Sequence, residues 1–223
     1  MYHTLSCRLT VVLFCLFLTP FIVEGQPQTP GNVLSYKKET HGLSLICEQA
    51  NVEISILDSS IVHVHVWKDK QEEKYSPAIV ARDFDYPRFS FQDQGHLILS
   101  TGRISGRIEK NPFRIAFLDE RGNILLQDIE AAAAKPDTIG KTLSWAMQPD
   151  EHFYGLGHKV RGPNRTDLSW RGHVRDFGPF GNTLDSVNKS FPSNIDAPIL
   201  YGTKGWALFL DNVQKKTWDF TNS

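Results

Sequence analysis

Asn51-Val52-Glu53-Ile54-Ser55-Ile56-Leu57-Asp58, followed after two serines by Ile61-Val62-His63-Val64-His65-Val66-Trp67, decides the fold class. Val52, Ile54 and Ile56 alternate with polar residues, and Val62, Val64 and Val66 repeat the alternation with His63, His65 and Trp67 on the other face. A period of two is that of a half-buried strand, so this stretch predicts antiparallel strands with one face in a core and one in water. Working outward, strands are predicted at 96–101, 102–110, 113–118, 123–127, 141–148, 198–201, 206–210 and 217–220. Gly95, Gly102, Gly106, Asn111-Pro112, Arg121-Gly122-Asn123 and Thr203-Lys204-Gly205 punctuate them. Many short, turn-bounded strands without a long amphipathic helix predict an all-β antiparallel sandwich rather than alternating βαβ units. The one helix-like stretch, 129–135, contains a run of four alanines but ends at Pro136 and reads as a short connecting turn.

With 40% hydrophobic and 11% aromatic residues, 223 residues can bury a substantial core. Lys plus Arg (24) nearly cancels Asp plus Glu (25), so no overall field favours nucleic acid or an anionic membrane as a partner. Arg8, the apolar run 9–18, Pro20 and Val23-Glu24-Gly25 read as a signal peptide over 1–25, cleaved before Gln26. The run is shorter than the roughly 20 residues of a membrane span, so no membrane association is expected after cleavage and the chain reads as secreted or periplasmic. Residues 26–42 show no sustained period and read as a flexible lead-in, which leaves 43–223 for the sandwich. Two of three cysteines lie in the signal, so Cys47 stands alone in an apolar run and reads as a buried thiol.

The region 151–193 is rich in Gly, Asn, Asp, His and Arg, the composition of long ordered loops at one end of a sandwich. Gly155-Leu156-Gly157-His158 there is either a tight turn or part of a ligand rim, and lacks the setting of a phosphate loop. Arg165, Asp167, Trp170, Arg171, His173, Arg175, Asp176, Asn182 and Asp185 mix hydrogen-bonding groups with an aromatic ring, which suits a sugar. The same residues also suit a loop that holds itself together through Arg–Asp pairs and Asx turns. His63 and His65, two apart on one strand face, have the geometry of two metal ligands but no third, and read as a surface or cross-strand pair, with no metal or cofactor implied. Asn164-Arg165-Thr166 and Asn188-Lys189-Ser190 match the glycosylation sequon.

Glu151-His152-Phe153-Tyr154-Gly155-Leu156-Gly157-His158 resembles the "FYGLGE" segment of family 31 glycoside hydrolases, the α-glucosidases and α-xylosidases. About fifty residues on, Ala197-Pro198-Ile199-Leu200-Tyr201-Gly202-Thr203-Lys204-Gly205-Trp206-Ala207-Leu208-Phe209-Leu210-Asp211-Asn212 resembles a hairpin of that family, and Thr217-Trp218-Asp219-Phe220 the strand after it. Upstream, 60–67 and Tyr75-Ser76-Pro77-Ala78-Ile79-Val80 resemble its early strand and loop.

The resemblance implies a galactose-mutarotase-like sandwich, followed in whole enzymes by a catalytic (β/α)₈ barrel that would be this domain's partner. Retaining cleavage uses two carboxylates roughly 5 Å apart, and in the family both lie on the barrel. With Ser223 ending the chain before such a barrel and before the last sandwich strands, no catalytic residue is carried over and none is expected here. What the resemblance carries over is a loop Asp near the sugar, with Asp176 the nearest match in Trp170-Arg171-Gly172-His173-Val174-Arg175-Asp176. The candidate substrate-binding set is therefore Asp176, Arg175, Asn182 and Trp170, and the ligand an α-linked glucoside or xyloside oligosaccharide. His158 stands where the family commonly has Glu. Two rival readings are a stand-alone carbohydrate-binding protein using 170–182, and a sugar mutarotase, which would need a Glu base and a His acid converging on one site.

Overall fold

The computed structural model describes residues 29–68, 76, 78–81, 84, 88–129, 143–159, 169–176, 183–184, 192–211 and 217–221. The expected signal peptide lies outside the described residues, as do 130–135 of the expected connecting turn, both sequons, Arg165, Asp167, Asn182 and Asp185. Among the described residues there is no helix.

Strands β1 (Val33–Glu39), β2 (Gly42–Cys47), β3 (Asn51–Asp58) and β4 (Ile61–Trp67) form a four-stranded antiparallel meander. β5 (Ser90–Asp93), β6 (Leu97–Ser100), β7 (Ile104–Lys110), β8 (Phe113–Asp119) and β9 (Ile124–Gln127) form a second meander of five. The predicted alternation sets their contact. Leu43, Leu45, Val52, Ile54 and Ile56 of the first sheet pack on Leu97, Leu99, Ile108, Phe113 and Ile115 of the second, all buried. His63, His65 and Trp67 stand on the other face of β4, their rings stacked with centroids 6.2 and 5.0 Å apart. Cys47 is a buried free thiol, and burial pushes its pKa up to about 11.

Three strand expectations are corrected. The lead-in does not stay irregular over Val33–Glu39, which pairs with β2 along its length. Its side chains are mostly exposed, and Lys37, Lys38 and Glu39 mask the period because an edge strand has little core to face. β5 went unread for the same reason, since only Phe91 among its four residues packs on the core. In 141–148, the described part makes an isolated bridge between Trp145 and Asp128 and no strand. Its apolar residues serve as a link, Trp145 packing on the first core and Met147 on a second.

That second core draws partly on 151–193, expected as long loops, and partly on the strands expected at 198–201, 206–210 and 217–220. It contains β10 (Phe153–Gly155), β11 (His158–Lys159), β12 (Val174–Asp176), β13 (Thr183–Leu184), β14 (Pro192–Ile195), β15 (Ile199–Gly202), β16 (Trp206–Phe209) and β17 (Thr217–Asp219). β10, β15 and β16 make one sheet, β11, β14 and β13 another, and β12 pairs with β17. Phe153, Leu156, Trp170, Leu200 and Phe220 are buried between them, with Met147, Trp206 and Trp218 at the margin. Three of the five buried residues are aromatic, and such large rings let short strands enclose a core.

Candidate functional site

The second core is organised around a buried acid. Glu151 is 1% exposed, and its carboxylate accepts hydrogen bonds from the Trp206 indole at 2.7 Å and the Gln148 backbone N–H at 3.1 Å. Arg171 turns its guanidinium to the Gln148 and Glu151 carbonyls, at 3.0 and 2.8 Å. Burying a carboxylate is tolerable only when its lone pairs are so engaged. Glu151 is thus a fixed acceptor for the core, while His152 beside it is exposed.

Trp170 and Arg175 are not where a sugar-lining reading puts them. Trp170 is 4% exposed; its indole donates to the Gly155 carbonyl at 3.1 Å and its ring joins the second core. Arg175 is 2% exposed, pairs with Asp196, and lies 5.8 Å over the Trp170 ring. As placed, neither offers a surface to a ligand in solvent. A Trp among polar residues has the same composition whether it is a platform or the anchor of a loop; here the Trp170 ring is buried and its backbone N–H also donates to the Phe153 carbonyl, at 2.8 Å. Asp176 is the last residue of β12, opposite Thr217, with only its backbone described, and Asn182 lies outside the described residues.

The Gly-Leu-Gly segment is a tight turn. Gly155, Leu156 and Gly157 have φ of 97, 59 and 77°, three successive left-handed residues. Leu156 bears the strain of that region because its side chain is buried and its N–H donates to the Ile199 carbonyl at 2.8 Å. The turn also leaves a glycine under an aromatic ring. A Cβ built on Gly155 would fall 3.0 and 3.3 Å from Cδ2 and Cε2 of Tyr201. Tyr154 stands directly opposite Tyr201 in the β10–β15 register. Both are exposed, by 40% and 50%. Sequence reasoning passed over these two residues. Their signal was a repeated dipeptide, Tyr154-Gly155 and Tyr201-Gly202, in two segments that pair.

Ser76 ties the early loop to the hairpin. Its hydroxyl donates to Asp211 at 2.8 Å and accepts from the Ala78 and Ile79 amides. Among the described residues, no group of three or more His, Cys, Asp or Glu is arranged to hold a metal ion, so His63 and His65 remain a stacked pair on β4.

A two-sheet antiparallel sandwich, linked through Trp145 and Met147 to a smaller aromatic sheet closed by a Gly-Leu-Gly turn, defines a galactose mutarotase-like domain. The family described as "Glycosyl hydrolase 31 N-terminal galactose mutarotase-like domain" matches residues 51–219, and the chain belongs to it. Alpha-glucosidase 2 of Bacillus thermoamyloliquefaciens is 22% identical over 197 residues, covering 85% of this chain and 24% of the relative. The GH31 dextranase of Flavobacterium johnsoniae, solved with glucose, superposes with a TM-score of 0.68 at 17% identity, over 86% of this chain and 24% of that one. The GH31 α-xylosidase of Xanthomonas citri gives 0.59 at 20% identity, over 79% and 19%. At these identities the structures establish the fold, and the chain spans about a quarter or less of the length of each.

Proposed function

We propose that this chain is the non-catalytic sandwich domain of an exported α-glycosidase, acting beside a (β/α)₈ barrel that carries the catalytic carboxylates and cleaves α-linked glucosides or xylosides. The observation that carries this reading is coverage: the family's N-terminal domain accounts for residues 51–219, whereas an α-glucosidase relative is about four times longer than the matched part. Retaining hydrolysis needs two carboxylates roughly 5 Å apart, one of them free to attack carbon. Glu151, the buried acid of the second core, is instead held by Trp206 and Gln148. Its burial beside an exposed His152 also argues against a mutarotase, whose Glu and His must converge on one sugar. Asp176, at the end of β12, is the residue we assign to the barrel-facing side.

The purified chain, assayed on 4-nitrophenyl α-glucoside and α-xyloside, is expected to show no turnover. Turnover abolished by Asp176→Asn would overturn the non-catalytic reading. Export rests on the 1–25 pattern, and mass spectrometry of the secreted protein is expected to find Gln26 at its N-terminus. A secreted protein that keeps Met1 would count against it.

A further inference from the structure

The outer face of the β10–β15–β16 sheet has no charged residue. The registers Tyr154↔Tyr201↔Ala207 and Ile199↔Phe209 put Tyr154, Ile199, Tyr201, Ala207 and Phe209 on one side. The other side turns Phe153, Leu200 and Trp206 to the second core. Tyr201, which as a whole residue stays 50% exposed, brings the Cδ2–Cε2 edge of its ring close over Gly155 of β10, where a side chain would leave little room. Trp206 does the same on the inner side, its indole lying on Gly202, where a Cβ would come 2.3 Å from Cε2. Two aromatic residues thus close on two glycines, Trp206 toward the core and Tyr201 on the exposed side.

We propose that Tyr201, with Tyr154 beside it, is a stacking platform for the neutral pyranose rings of an oligosaccharide. The electron-rich face of an aromatic ring attracts the weakly positive C–H bonds of a pyranose's apolar face, by the same quadrupole that orders aromatic pairs. Tyr suits the task because it has only two side-chain torsions to fix and a hydroxyl to meet the sugar's rim. Ala207, exposed on the far side of Tyr201, leaves lateral room for a second ring.

The size of the face decides between a sugar and a protein. Three strands about 4.8 Å apart and three or four residues long, at about 3.3 Å each, make a patch of roughly 100–130 Å². A stable protein partner needs about 800 Å² on each side. The patch is several times too small for that and is on the scale of a short saccharide. The absence of charge points the same way, since a neutral ligand requires no counter-ion. This site goes beyond the accessory role proposed above, which concerns hydrolysis, and it stands or falls by binding alone.

The test is titration of the purified chain with isomaltotriose, maltotriose and an α-xylosylated glucan oligosaccharide, followed by NMR shifts and calorimetry. Saturable binding of at least one probe is expected, weakened about tenfold by Tyr201→Ala, which corresponds to about 1.4 kcal/mol of lost stacking. Tyr201→Phe keeps the ring and is expected to bind within about twofold of the wild type, on the same stacking argument. Ala207→Arg leaves Tyr201 in place and lays a charged side chain across the platform, so it should abolish binding. If Tyr201→Ala does not fold, Ala207→Arg decides alone. Failure of all three probes to saturate, wild-type affinity in Ala207→Arg, or a Tyr201→Phe loss as large as that of the Ala variant would each overturn the proposal. Neither result bears on the hydrolysis assay, so failure here leaves the accessory reading intact.

Discussion

The Trp206 indole N–H donates to Oε1 of Glu151 at 2.7 Å, joining two segments 55 residues apart inside the second core. The bond explains why an acid can stand at a position that is 1% exposed. Glu151→Gln replaces one acceptor oxygen by an amide that can only donate, so either Trp206 or Gln148 loses its partner. The expected cost is about 1–2 kcal/mol, that of an unsatisfied buried donor. Urea unfolding monitored by tryptophan fluorescence measures it; a Gln variant as stable as the wild type would show that the bond contributes little.

Two glycines should respond in opposite directions to alanine. At Gly155, φ is 97° and a Cβ would lie 2.4 Å from the Ile199 carbonyl oxygen, so Gly155→Ala meets both strain and a backbone clash. A loss of more than about 2 kcal/mol is expected. Gly106, buried in mid-strand of β7, would place its Cβ 3.7 Å from the Phe117 ring, an ordinary contact. Gly106→Ala should stabilise by about 0.4–1 kcal/mol, because the unfolded chain loses more freedom than the folded one. Thermal melts of the two variants side by side check the pair, and equal effects at both sites would refute the geometric reading.

The first sandwich was legible because both sheets put one face in a core, and the resulting period of two survives in Val52, Ile54, Ile56 and Val62, Val64, Val66. β1 and β5 were not, because an edge strand answers to one neighbour and keeps its charges. The second core was legible only in part: its strands β15, β16 and β17 were expected, whereas its share of 151–193 hid behind polar composition. Its backbone groups are satisfied largely across long sequence separations, as when Trp170 N–H meets the Phe153 carbonyl and Phe220 N–H the His173 carbonyl. Trp170 and Arg175 read as sugar-binding residues, but a buried Arg–Asp pair and a solvent-facing sugar clamp use the same residue types. Only Asp196, far along the chain, tells the two apart.

That pair makes its own prediction. Arg175 and Asp196 have side chains 2% and 9% exposed, so removing one partner leaves the other charge with little water to return to. Asp196→Ala is expected to cost about 3–5 kcal/mol. The double variant Arg175→Met, Asp196→Ala should recover part of this, since it strands no charge. A chemical-denaturation cycle over the four proteins reads the coupling, and a double variant no better than Asp196→Ala would mean that Arg175's other contacts dominate.

Asp128 carries the clearest pH dependence. It sits at the end of β9, where its N–H donates to the Ile115 carbonyl and it bridges Trp145. Partial burial there pushes its carboxyl up to about 6 from an ordinary 3.8, against the opposing pull of Arg114 and of the Ile129 N–H. A carboxyl whose pKa is raised on folding favours the native state only while protonated. Its contribution is therefore fully present below about pH 3.8 and is lost as pH rises through about 6. Above that range the folded protein holds a poorly solvated charge that the unfolded chain does not. At face value such a shift is worth about 3 kcal/mol. Because the side chain is still partly open to water, screening reduces it to on the order of 1 kcal/mol. Asp128→Asn, nearly isosteric and uncharged, should therefore be more stable than the wild type at pH 7.5 by about that amount, with the advantage fading toward pH 4. Urea midpoints at the two pH values test both sign and window. A variant less stable at pH 7.5 would mean that the attraction to Arg114 outweighs desolvation, and an advantage unchanged at pH 4 would mean that the ionisation of Asp128 is not its source.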